Sequence, residues 1–96
     1  MLTGKERSIL RKMSHDINSI FQIGKGGISE NTIKQFDEAL EARELVKATV
    51  LNNSLEDSYN AANNLAKKLK AEVVMTVGNK FVLYRKSKKK PSIPFL

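Results

Sequence analysis

The chain contains no cysteine and no tryptophan, a single histidine (His15), and two prolines, Pro91 and Pro94, near its C-terminal end. Without cysteine there is no disulfide, no thiolate metal ligand and no cysteine nucleophile. One histidine builds no zinc site alone and leaves no Ser-His-Asp order to assemble, and no carboxylate dyad or metal cluster replaces it. The expectation is a protein that is not an enzyme and uses no metal and no cofactor. Aromatic residues are scarce at 6%, and Phe21, Phe36 and Phe81 fall in patterns that suit core packing. Base stacking on an aromatic sheet is therefore not expected. No apolar stretch approaches the roughly 20 residues that span a bilayer. The first residues also lack the apolar run of a secretory leader, so a cytoplasmic protein with no membrane partner is expected.

What the chain does have is positive charge. Seventeen Lys and Arg against ten Asp and Glu give a formal charge of +7 over 96 residues. A folded protein that basic attracts polyanions before any specific contact forms. The charge is also partitioned: five cations against two acids in residues 1–29, three against seven in 30–57, and nine against one in 58–96. A polyanion is steered to both ends of the sequence and away from its middle. The length suits one compact domain and leaves no room for a second core.

Thr3 followed by Glu6 has the spacing of a capping box and predicts a helix from about Gly4 to Asp16. On it Leu2, Ile9, Leu10, Met13 and Ile17 share one arc, with Lys5, Arg7, Arg11, Lys12 and His15 on the other side. Ser19 to Ile23 has the content of a short strand. Ser29 is a good N-cap for a second helix that turns Phe36 and Leu40 inward and Glu30, Asp37, Glu38 and Glu41 outward. Glu44 to Leu51 alternates as a strand, with Val46, Ala48 and Val50 on one side and Lys47 and Thr49 on the other. Ser54 with Asp57 opens a third helix, whose last turn carries Lys67, Lys68 and Lys70. Ala71 to Val77 and Lys80 to Arg85 form a hairpin about Gly78-Asn79.

The order α-β-α-β-α-β-β predicts an α/β (α+β) fold in which a mixed four-stranded sheet packs with helices. After Arg85 a block of like charge and both prolines predict a mobile basic tail. The expected division is a single domain over residues 1–87 and a flexible tail over 88–96.

The segment Gly24-Lys25-Gly26-Gly27 lies between a strand and a helix. Glycines there allow positive φ and let successive backbone N–H groups turn toward one anion, the helix start adds further N–H groups, and Lys25 adds a full charge. A tight turn needing glycine for geometry alone would show the same residues. A Walker loop places its lysine near the helix start, and a dinucleotide fingerprint needs Gly or Ala where Ser29 stands, so neither applies. What remains is a Gly-x-x-Gly loop of the sort that KH domains use to clamp a nucleic-acid backbone.

These residues together resemble a known family. Leu2-Thr3-Gly4-Lys5 with Arg7, Leu10, Arg11 and His15, then Ile23-Gly24-Lys25-Gly26-Gly27-Ile28, then Ala39-Leu40-Glu41 and Glu44-Leu45-Val46-Lys47, and finally Val77-Gly78-Asn79 with Val82-Leu83-Tyr84-Arg85, look like a free-standing CRM (chloroplast RNA-splicing and ribosome-maturation) domain of the bacterial YhbY type. The resemblance spans about residues 2 to 90. Ser19 stands where the family often has proline, and Lys70 where glycine often follows the third helix. The resemblance implies a fold similar to the C-terminal domain of initiation factor three, binding to precursor large-subunit ribosomal RNA, and no catalysis.

The expected RNA-binding residues are Lys5, Arg7, Arg11, Lys12, His15, Gly24, Lys25, Gly26, Gly27, Lys47, Arg85 and Lys86. The expected partner is ribosomal RNA or the precursor large ribosomal subunit, bound by a monomer through phosphate geometry and RNA shape, with no small-molecule substrate. Two other readings stand beside this one. One is a basic adaptor for other structured RNA, such as tRNA or intron-like RNA. The other is a peripheral protein- or membrane-surface module driven by the Lys88-Lys89-Lys90 tail, although one unlipidated polybasic segment anchors weakly.

Overall fold

The computed structural model describes residues 2–54, 56–89 and 91. Helix α1 (Gly4–Ser14) starts at Thr3, whose hydroxyl accepts the Glu6 amide at 3.1 Å while the Glu6 carboxylate accepts the Thr3 amide at 2.9 Å. It ends before the expected Asp16, because the His15 and Asp16 amides turn back to the carbonyls of Lys12 and Met13, three residues earlier, and tighten the last turn. Strand β1 (Ser19–Ile23) and helix α2 (Glu30–Arg43), capped by Ser29, follow. One residue, Glu44, then reverses the chain with φ +66°. It is 1% exposed, its amide donates to Leu40 at 2.9 Å, and its carbonyl accepts the Arg85 amide at 3.0 Å.

Strand β2 (Leu45–Val50) leads through a turn to helix α3 (Ser58–Leu69). Its N-cap is Asp57, whose carboxylate accepts the Asn60 amide at 2.8 Å. The expectation that Ser54 opens this helix is corrected. The Ser54 hydroxyl instead accepts the Glu56 amide at 3.3 Å, closing a local turn two residues ahead. Lys70 ends α3 in the left-handed conformation at φ +56°. Strands β3 (Glu72–Val77) and β4 (Lys80–Tyr84) make the hairpin. Gly78 alone takes positive φ in its turn, +57°, the position at which a type II′ turn demands glycine.

The four strands form one sheet in the order β1-β2-β4-β3. The β1/β2 pair, joined through α2, is parallel, and β4 runs antiparallel to both β2 and β3. Alternation along each strand then decides which helix covers which face. Ile23, Val46, Ala48, Phe81 and Leu83 meet α2 and α3 on one face, where Phe36 sits with its ring 4.4 Å from Phe21 and 6.2 Å from Phe81. Leu45, Val82 and Tyr84 meet Leu10 of α1 on the other face. A register break between Val73 and Met75 turns the consecutive residues Val74 and Met75 both toward α1.

The segment after β4 does not leave the body at residue 88. The Ser87 amide donates to the Glu44 carboxylate at 2.7 Å, and the Ser87 hydroxyl donates to Glu41 at 2.7 Å. The amides of Lys88 and Lys89 reach the same Glu41 carboxylate at 3.2 and 3.1 Å. The sequence hides this docking, because acids on the outer face of α2 read as a solvated stripe. Of the expected tail, residues 90 and 92–96 lie outside the described residues.

Candidate nucleic-acid interface

The glycine loop follows β1 directly. The Gly27 amide donates to the Gly24 carbonyl at 3.0 Å, so the loop is one tight turn with exposed Lys25 and Gly26 at its tip. The three glycines have different roles. Only Gly27 takes positive φ, +66°. A Cβ on Gly24 would sit at ordinary contact, 3.4 Å from Asn53 Oδ1, and a Cβ on Gly26 would meet nothing within 4 Å. At the helix start Ser29 and Thr32 cap each other at 3.2 Å in both directions, which withdraws the Thr32 amide from any anion.

The first helix presents its charge on the same side of the sheet as the next feature. Arg7 donates to the Val73 carbonyl, which fixes the α1 flank formed by Arg7, Arg11 and His15 toward β3. Arg11 and His15 continue this flank as exposed groups, with Lys5 and Lys12 exposed on the outer surface of the helix. At the end of the sheet nearest the glycine loop, one residue from each strand lies in register: Gln22 opposite Thr49, Thr49 opposite Lys80, and Lys80 opposite Val77. Lys80 alternates with Phe81, so this row points to the α1 face. Gln22, Lys80 and Val77 are exposed, Val77 to 61%, so α1 leaves this strip uncovered. The row carries no carboxylate.

Other expected contact residues are engaged within the fold. The Lys47 ammonium donates to the Ser14 carbonyl at 3.2 Å, where it offsets the negative end of the α1 dipole. The Arg85 guanidinium pairs with Asp37 at 2.7 Å and donates to the carbonyls of Leu69 and Asp37 at 3.1 and 3.0 Å. Its side chain is 16% exposed and ties α2 to α3, on the sheet face opposite the glycine-loop strip. Lys86 is exposed beside it. Tyr84 is packed, 6% exposed, and burial pushes its phenol above the usual value, with the Glu44 and Glu6 charges adding to the effect. Among the described residues no group of three His, Asp or Glu could hold a metal ion, and no helix is long and apolar enough to cross a membrane.

Lys80, Gln22 and Thr49 are the residues that reading the sequence for a site overlooks. Alternation places Thr49 outward from the α2/α3 core, but only the pairing of β2 with β4, strands that are not consecutive, puts Lys80 beside it.

Comparison with known proteins sets this geometry in a family. The model of the CRS1 / YhbY (CRM) domain matches residues 2–85. The chain belongs to the CRM domain family. Among CRM relatives, the "Probable RNA-binding protein YqeI" of Bacillus subtilis is 50% identical over 93 residues, covering 97% of each protein. The "RNA-binding protein" of Haemophilus influenzae is 30% identical, over 90% of this chain and 87% of its own length. The solution structure of SAV1595 from Staphylococcus aureus shares this CRM fold, with a TM-score of 0.78 at 49% identity over 94% of both chains.

Proposed function

We propose that the chain is a non-catalytic RNA-binding protein that acts on ribosomal RNA within precursor large subunits and assists their assembly. The observation that carries this reading is that the uncovered Gln22-Thr49-Lys80-Val77 row lies at the sheet end from which the glycine loop leaves, on the α1 face that also carries the Arg11-His15 flank. Backbone amides at a tight turn, isolated cations and neutral hydrogen-bonding side chains suit phosphates and sugars better than base edges. The interface we assign comprises Lys5, Arg11, Lys12, His15, Lys25, Gly26, Gly27 and Lys80. Gly24, Arg7 and Lys47 position it, and Arg85 holds α2 against α3. The relatives named as RNA-binding proteins support the same partner class.

The test is co-sedimentation of the chain with precursor large subunits, with mature subunits, with unrelated structured RNA and with anionic vesicles, all at one salt concentration. Retention on precursor large subunits above the other three is the expected result. Equal retention on any structured RNA would replace the ribosomal reading by a general adaptor, and retention on vesicles alone would overturn RNA binding.

A further inference from the structure

A second feature of the α1 face is not needed for phosphate binding. A groove of about 400 Å3 runs between the end of α1 and the β1/β2 edge, and Met13, Ile17, Asn18, Ile20, Arg43 and Lys47 line it. That volume falls within the ~300–1,000 Å3 of small-molecule clefts. Met13 and Ile20 are 37% and 40% exposed, two of the few large apolar side chains in the described residues left so open. The charged groups lining the groove are both cations. Lys47 is held there by the Ser14 carbonyl at 3.2 Å, while the Arg43 guanidinium has no partner among the described residues.

We propose that this groove receives one unpaired nucleobase of a bound RNA, with the adjoining phosphate on Arg43. The inference rests on the RNA-binding reading and adds a specificity to it: the protein would select RNA with an unpaired nucleotide rather than respond to phosphate density alone. A base ring needs apolar surface against its faces, which the Met13 thioether and the Ile17 and Ile20 side chains supply. Asn18 adds an amide that both donates and accepts for a base edge. An apolar side chain from a protein partner would satisfy the same methyl groups but leave the Arg43 guanidinium unmatched, whereas a nucleotide matches both parts of the groove.

The experiment titrates the full chain, carrying 13C-labelled Met and Ile methyl groups, with an RNA hairpin containing one bulged nucleotide and with the same hairpin lacking the bulge. The bulged hairpin should bind at least about fivefold more tightly, as expected from burying the apolar surface of one base ring. The Met13 and Ile20 methyl resonances should move with the bulged RNA only. Ile20→Ala should erase the preference. Should that variant fail to fold, the Met13 methyl of the unmutated protein carries the test. Equal affinity for the two hairpins with silent methyl groups would overturn the groove while leaving RNA binding standing. A preference that persists in folded Ile20→Ala would place the base elsewhere and overturn it as well. No binding to either hairpin would overturn the RNA-binding reading and the groove together.

Discussion

An arginine attracts a polyanion only when its guanidinium is not already engaged, and two arginines of this chain stand at the two extremes. Arg11 is exposed on α1, whereas Arg85 makes three hydrogen bonds to α2 and α3. We expect Arg11→Ala to lower the log–log salt slope of RNA binding by about one unit with the melting temperature unchanged. Arg85→Ala should do the reverse, costing about 1–3 kcal/mol of stability at an unchanged slope, since it leaves the Leu69 carbonyl without this donor. Filter binding across salt and thermal melts of both variants check the pair. The glycine loop separates in the same way. Gly26→Ala should fold and bind nearly as the unmutated protein does, because its φ is not positive and its Cβ meets nothing. Gly26→Asp should fold but bind weakly, and Gly27→Ala should lose about 1 kcal/mol to its left-handed backbone. Circular dichroism and co-sedimentation of the three variants decide this. The sequence shows three identical glycines and two identical arginines, and only the backbone conformation and the bonding partners tell them apart.

At the scale of elements, local patterns marked most of the architecture. The Thr3/Glu6 pair, the alternation of Val46, Ala48 and Val50 and the Gly78-Asn79 turn each state their structure within a few residues. The C-terminal docking was not legible, because it joins α2 to residues more than 40 positions away. Lys70 is the element boundary most open to improvement: Lys70→Gly should raise stability by about 0.5–1 kcal/mol in urea titration, since a left-handed cap favours glycine. The docked segment has a pH signature. Donation from the Ser87 hydroxyl, then from the Lys88 and Lys89 amides, lowers the Glu41 carboxyl from 4.5 to about 2. A folded value below the unfolded one means the stabilisation is complete above about pH 4.5 and is lost as pH falls toward 2. The Lys88 and Lys89 amide resonances should shift in that window and stay fixed in Glu41→Gln. Truncation after Arg85 takes the Ser87 amide from the buried Glu44 carboxylate and the Ser87, Lys88 and Lys89 donors from Glu41, and should lower the melting temperature.

For the whole molecule, the charge partition read from the sequence becomes a difference between surfaces only after folding. The acids of 30–57 lie largely on α2, on the sheet face opposite α1, and the cation-rich first segment supplies the exposed flank. Four to six neutralised phosphates should give a log–log salt slope of about −3 to −5. A binding titration over a fourfold range of salt measures it, and a slope near zero would mean that charge does not lead the interface. The same fold leaves two strands, β1 and β3, at the sheet edges, and each contains a register break, between Ser19 and Phe21 and between Val73 and Met75. An interrupted ladder is a poor template for a further strand. Copies gathered at high local density on one long polyanion therefore lack a regular strand seam along which to anneal, and such a coating should disperse again when the polyanion is digested.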